Sequence, residues 1–208
     1  MSRKAQLEQA YKTVVDEVNS LCKSLNRPVP QLVAVSKYKP AEDIEILYNL
    51  GQRHFGENYV QELQEKAAKL PKDIQWHFIG ALQSNKAKIA REIPNLVYVE
   101  TLDSISKATK LNNQRQQLES AEKLKVYLQI NTSNEAQKAG VPANEEQQVM
   151  ELAAHVHEQC PALVLQGLMT IGSFEQSHAE GEHENSEFTT LAKLRDSVAE
   201  KLKIEELG

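Results

Sequence analysis

Apolar residues recur along this chain with two different spacings, and the spacing changes from one segment to the next. In the first segment they fall three or four residues apart, at Leu7, Tyr11, Val14, Val18, Leu21 and Leu25. This spacing predicts an amphipathic leading helix, which Asn26-Arg27-Pro28 would end. Beyond this helix, short apolar runs predict strands at 32–36, 54–56, 76–80, 97–99, 126–131 and 165–171.

The helical spacing returns after each of these strands, which gives six consecutive strand-then-helix units. Such alternation predicts a parallel sheet with helices outside, in either a doubly wound sheet or a (β/α)8 barrel. Polar residues follow the carboxyl ends of four strands, at Ser36-Lys37, Glu57-Asn58, Gln83-Ser84-Asn85 and Asn131-Thr132-Ser133. A barrel gathers such ends at one mouth, and the sequence has no glycine-rich phosphate motif of a doubly wound sheet. We therefore favour the barrel.

A closed barrel of this kind has eight strand-then-helix units, and only six are evident here. We therefore expect an incomplete barrel over residues 28–208, with a leading helix of residues 1–27 packed on it. The first strand, 32–36, is a continuous apolar run and is predicted to be buried on both faces.

Composition narrows the class of partner. The formal net charge is −5 and no basic stripe occurs, which argues against a nucleic-acid or anionic-membrane surface. No apolar run approaches the roughly 20 residues of a membrane helix. The two cysteines, Cys22 and Cys160, occur without a recognisable signal peptide, so we expect them to be reduced core residues of a cytoplasmic protein.

Lys37 is the first candidate for chemistry, because it lies where a predicted buried strand ends. A lysine that loses solvation at a barrel mouth can form a Schiff base with a carbonyl compound. Position alone favours the simpler interpretation, a lysine whose stem lies on apolar surface and whose amine reaches solvent.

The histidines give a second set of candidates. His77 alternates with Trp76 and Phe78 along a strand, so it should point to the opposite face, into the barrel. The alternative is a purely structural histidine that hydrogen-bonds to a neighbouring carbonyl. His178 and His183 lie in an acidic loop that we interpret as solvated. We expect no metal requirement, because no four-ligand cluster has a recognisable spacing.

Five motifs together resemble the pyridoxal phosphate homeostasis protein family, the single-domain relatives of the alanine racemase barrel. They are VSK at 35–37, FGENYVQE at 55–62, WHFIG at 76–80, LQSNK at 82–86 and GLMTIG at 167–172. The resemblance covers residues 31 to about 200 and implies that Lys37 carries pyridoxal 5′-phosphate (PLP) as a Schiff base. It further implies that Asn58, His77 and Met169 wall the cofactor, and that Lys138 matches a basic residue facing a cofactor oxygen in the racemases.

Family members continue with a Ser-Met-Gly-Met-Ser-like strand and an Arg-Ile-Gly-like strand, which bind the cofactor phosphate. Neither occurs here, so we expect a member truncated at its C-terminus.

The resemblance implies a PLP-binding protein of vitamin B6 homeostasis that holds or delivers the cofactor, without substantial turnover. PLP-dependent apoenzymes would be its partners, and we expect a monomer. The alternative is a racemase-like enzyme, which needs a second base facing Lys37 across the cofactor. In the racemases, a second domain and a partner subunit supply that base. A third hypothesis is a barrel aldolase that uses Lys37 without a cofactor.

Overall fold

The leading helix is present in the computed structural model, which describes residues 2–119, 122–133, 135, 138–173 and 185–208. Helix α1 spans Arg3–Ser24, and the Ser2 side chain caps it by accepting a hydrogen bond from the Ala5 amide. It ends at Leu25, before the prolines. Helix α1 lies against α2, where Arg3 pairs with Asp43 at 2.6 Å.

The strands form one parallel sheet with the order β1-β2-β3-β4-β5, and β7 pairs with the other edge of β5. The short β6 pairs with the carboxyl end of β5. The strands are β1 Ala34–Val35, β2 His54–Glu57, β3 Gln75–Phe78, β4 Leu96–Leu102, β5 Leu124–Asn131, β6 Val141–Pro142 and β7 Leu163–Met169. The helices after α1 are α2 Ala41–Asn49, α3 Val60–Lys69, α4 Ile89–Glu92, α5 Ile105–Arg115, α6 Glu146–Gln159 and α7 Ser186–Leu202. The six predicted strand-then-helix units are therefore confirmed.

The two faces of the sheet differ in chemistry, and the alternation of side chains along each strand explains why. Phe55, Trp76 and Val126 share the face that the helices cover, and each is at most 1% exposed. Full burial of a large apolar side chain stabilises the fold by about 1.5–3 kcal/mol. The opposite face, which we call the inner face, carries polar residues such as His77 and Tyr98 in the same register.

The first strand was predicted wrongly in one respect. β1 covers Ala34–Val35 alone, and Val35 is 53% exposed rather than buried on both faces. The reason is its place in the sheet: within the described residues β1 stands at one end of the strand order and pairs with β2 alone. An apolar run predicts burial, but it does not reveal which strand lies at an edge.

Two smaller elements also differ from prediction. The helix predicted at 86–90 is a 3-10 turn at Ser84–Lys86 followed by the short α4, and β6 was not predicted.

At the other end of the sheet, the Gly208 amide donates to the Gln166 carbonyl at 2.8 Å, and the Leu168 amide donates to the Gly208 carbonyl at 2.9 Å. Gly208 thus extends the pairing of β7.

Candidate functional site

Lys37 occupies the turn between β1 and α2, as the sequence predicts. The turn closes with a hydrogen bond from the Lys39 amide to the Ser36 carbonyl, at 3.0 Å. Lys37 is exposed, so its solvation is not lost in this conformation. Within the described residues its amine makes no hydrogen bond and no ion pair, which leaves a primary amine open to a ligand.

A cluster of charged side chains lies directly under this turn, and we call it the Glu57–Lys66 cluster. Lys66 Nζ lies 2.6 Å from Glu57 Oε1 and 2.9 Å from Glu62 Oε2. The same ammonium donates to the Ser36 carbonyl at 2.9 Å, and the Ser36 hydroxyl donates to Glu57 Oε1 at 2.6 Å. Glu62 Oε2 also accepts the Tyr38 amide at 3.0 Å.

The cluster is buried to different depths. Glu57 is 0% exposed and Lys66 is 7% exposed, whereas Glu62 lies nearer the surface. Partial burial raises the pKa of Glu62, but hydrogen bonds from Lys66 and the Tyr38 amide outweigh it, so the net shift is downward. The geometry places the Lys66 amine between the carboxyl groups of Glu57 and Glu62, within salt-bridge distance of both.

Asn58 is placed beside the turn by the pairing of β1 with β2. Val35 lies opposite Gly56 in the register, so Lys37 and Asn58 both come two residues later, beyond the carboxyl ends of adjacent strands. Asn58 is half-buried. Its main chain lies against Gly80, where an added Cβ would come within 2.6 Å of the Asn58 carbonyl carbon.

His77 points to the inner face, as predicted, and its partners are side chains rather than a carbonyl. Its Nδ1 donates to Glu100 Oε1 at 2.5 Å, and its Nε2 lies 2.9 Å from His54 Nδ1. The ring stacks on Tyr98 with centroids 4.2 Å apart. Desolvation, followed by the nearby His77 and Lys125, lowers the pKa of His54, which favours a neutral imidazole there.

Met169 and Lys138 lie at the carboxyl ends of other strands. Met169 ends β7, pairs with Gln129 of β5 and is half-buried. Lys138 follows β5, and its ammonium lies 2.8 Å from Glu135 Oε1. That hydrogen bond is the main cause that lowers the pKa of Glu135. Lys138 is thus already ion-paired.

The structure therefore brings Lys37 and Asn58 together at neighbouring strand ends, with His77 one step deeper on the inner face. Met169 belongs to β7, at the far end of the strand order. Sequence reasoning missed the role of Glu57, Glu62 and Lys66, although the four-residue spacing of Glu62 and Lys66 predicts an ion pair on a helix. His178 and His183 lie outside the described residues.

Comparisons with known proteins point in the same direction. The family model described as "Alanine racemase, N-terminal domain" matches residues 12–207. The pyridoxal phosphate homeostasis protein of Homo sapiens is 46% identical over 180 residues, covering 84% of this chain and 64% of the human protein. The protein of that name from Schizosaccharomyces pombe is 46% identical over 173 residues, covering 83% of this chain and 70% of the yeast protein.

A solved structure also matches. PipY of Synechococcus elongatus with PLP bound aligns at a TM-score of 0.70 and 29% identity, covering 92% of this chain and 84% of PipY. With the observed parallel strands, these matches confirm the predicted fold class, the alanine racemase type of barrel. The chain spans 64% of the length of the human relative. Within the described residues, no helix is long and apolar enough to cross a membrane.

Proposed function

We infer, because this chain belongs to the pyridoxal phosphate homeostasis protein family, that it binds PLP covalently at Lys37 and holds the cofactor without substantial turnover. The observation that carries the proposal is the Lys37 amine, exposed at a strand end and unpaired within the described residues. The PLP-bound structure of PipY supports the proposal by similarity.

The residues around Lys37 fit an aldehyde cofactor. The primary amine of Lys37 is exposed to solvent, and no carboxylate of the described residues pairs with it. Asn58 offers an amide at the neighbouring strand end, and the inner face below offers the flat surfaces of His77 and Tyr98. When bound, PLP supplies a reactive aldehyde carbon and a conjugated ring that accepts electrons.

Lys37 would act as the nucleophile. Its side-chain amine would hold PLP through the aldehyde group that the cofactor supplies. Because the bond between an amine and an aldehyde forms reversibly in water, the same lysine could also release the cofactor. Asn58, His77 and Met169 would line the cofactor site. Lys138 would reach the cofactor only after its ion pair with Glu135 breaks.

The partners follow from this role as further proposals. A protein that stores a reactive aldehyde would pass it to PLP-dependent apoenzymes, and we propose that the chain acts as a monomer. The two cysteines within the described residues are free thiols, which supports a cytoplasmic location.

Replacing Lys37 tests the proposal. Wild type, Lys37→Ala and the matched control Lys39→Ala would be loaded with PLP, reduced with borohydride and digested for peptide mass spectrometry. We expect one reduced adduct, on Lys37, in wild type and in Lys39→Ala, and loss of the visible absorption band in Lys37→Ala. An adduct on another lysine in the wild type, or an undiminished band in Lys37→Ala, would overturn the assignment.

A further inference from the structure

The turn that carries Lys37 is fixed at both of its neighbours by one buried charged cluster. On one side, the Ser36 carbonyl accepts from Lys66 Nζ at 2.9 Å, and the Ser36 hydroxyl donates to Glu57 at 2.6 Å. On the other side, the Tyr38 amide donates to Glu62 at 3.0 Å. Lys37 lies between these two anchored residues, and its own side chain stays outside the cluster.

The backbone of the turn needs such anchoring. Tyr38 has a φ of 60°, in the left-handed region that non-glycine residues seldom adopt. A strained conformation of this kind persists only where surrounding contacts hold it. The hydrogen bond from the Tyr38 amide to Glu62 is one such contact, and the ammonium of Lys66 holds Glu62 in place at 2.9 Å.

Burial of the cluster is costly, which makes a purely stabilising role a poor explanation. An ion pair removed from water often gains no net stability over apolar side chains of the same size. Here Lys66 is 7% exposed and Glu57 is 0% exposed, at a place where α3 packs against β2. The hydrogen bonds of Lys66 instead fix the relative positions of three segments, because its single amine reaches one oxygen atom in the turn after β1, one in β2 and one in α3.

We propose that Lys66 is a positioning residue, which acts with Glu57 and Glu62 to hold the turn so that Lys37 is presented to an aldehyde ligand. The inference rests on the proposed covalent binding of PLP at Lys37. It adds that the turn is preorganised by side chains that do not touch the ligand.

The expected size follows from the fraction of molecules that are competent to bind. If the turn loses its anchors and holds the productive conformation only about one tenth of the time, the apparent dissociation constant rises about tenfold. The rate at which Lys37 reacts with an aldehyde should fall by a similar factor.

Two variants separate positioning from folding. Lys66→Met combined with Glu57→Gln removes the buried charges together, so that neither is left unpaired. Glu62→Ala, at a less buried site, removes the acceptor of the Tyr38 amide and keeps the Lys66–Glu57 pair. Lys69→Met is the matched control, since Lys69 is an exposed lysine of the same helix.

Three measurements decide the outcome: the PLP dissociation constant, the borohydride-trapped fraction at Lys37, and hydrogen exchange of the peptide containing residues 36–39. Circular dichroism and urea unfolding report whether each variant is folded. We expect both test variants to bind PLP about tenfold more weakly and to exchange faster in this peptide, and Lys69→Met to match wild type. A folded variant with faster exchange and unchanged PLP affinity would refute the positioning role.

Failure of the proposed function would look different. If the wild type forms no adduct at Lys37, covalent PLP binding at this residue is wrong. Exchange of residues 36–39 and the reductive methylation rate of Lys37 with formaldehyde then decide whether the cluster positions the lysine. Unchanged exchange and an unchanged methylation rate in folded variants would overturn the inference by themselves.

Discussion

Gly80 connects the packing of the sheet to the candidate site, so its replacement by alanine should damage both. Gly80 follows β3, and an added Cβ would lie 2.6 Å from the Asn58 carbonyl carbon, 2.9 Å from the Asn58 Cα, and closer still to the carbonyl oxygen. These atoms belong to the main chain after β2, which cannot rotate away as a side chain can. The Gly80 carbonyl is held in turn by the Thr101 hydroxyl at 2.6 Å.

The clash must therefore be relieved by moving one strand end relative to the other. Overpacking that forces a backbone shift costs about 1–3 kcal/mol. For a chain of this length, each kcal/mol lost lowers the midpoint of thermal unfolding by about 2–4 °C. We therefore expect the midpoint of the Gly80→Ala variant to lie about 2–12 °C below that of wild type. Since Asn58 would be displaced, PLP should also bind more weakly, as a titration of the visible band would show.

Gly56→Ala is the matched control within the same sheet. Its added Cβ would lie 2.6 Å from Ile79 Cδ1, the end of a flexible side chain that can change rotamer. We therefore expect a cost below about 1 kcal/mol, the lower end of the range for overpacking. Thermal unfolding of the three proteins would refute the reasoning if Gly80→Ala melted with wild type, or if Gly56→Ala were the less stable variant.

Two further predictions concern stability. Arg115 is 3% exposed and donates to the carbonyls of Glu122 and Ala90 at 2.8 and 3.1 Å, so Arg115→Met should lower the free energy of unfolding by about 3 kcal/mol. The control Arg195→Met, at an exposed ion pair, should cost about 1 kcal/mol or less in urea unfolding; equal losses would contradict this. The pKa of His54 is lowered in the folded chain, so as the pH falls the unfolded chain binds a proton at this residue at a higher pH than the folded chain does. Stability should therefore fall as the pH drops below about 6.5. His54→Gln should lose less stability than wild type between pH 7.5 and pH 5.5, and identical losses would show that His54 is not responsible.

Most of the fold could be predicted from the sequence because its signals are local. Alternation of short apolar runs with helical spacing identified all six strand-then-helix units, and each depends only on neighbours a few residues away. The inward direction of His77 was predictable for the same reason, since it needs only the two-residue period of a strand. The burial of β1 was predicted wrongly from the sequence. Within the described residues β1 lies at the edge of the sheet, which leaves Val35 exposed, and the position of a strand in the sheet depends on the whole strand order.

The candidate site divides along the same line. Lys37 could be found from its strand end and from motifs around it, which are contiguous in sequence. Asn58 followed from the next strand end, but its packing against Gly80 depends on where β3 ends relative to β2. The resemblance implies that Lys138 faces the cofactor, and in the folded chain its ammonium lies against Glu135.

Lys66 shows why the support of the site could not be predicted at all. In the sequence, Glu62 and Lys66 are spaced as an ordinary ion pair on the surface of a helix, where such a pair contributes about 0.3–0.5 kcal/mol. Only the packing of α3 against β2 brings Glu57 within 2.6 Å of Lys66 and excludes water from both. The same packing turns the ammonium toward the Ser36 carbonyl, one residue from Lys37. The reactive residue, Lys37, can therefore be identified from a local sequence motif. The geometry of the turn that carries it depends on Lys66, whose contacts with Glu57 and Ser36 form only when the chain folds.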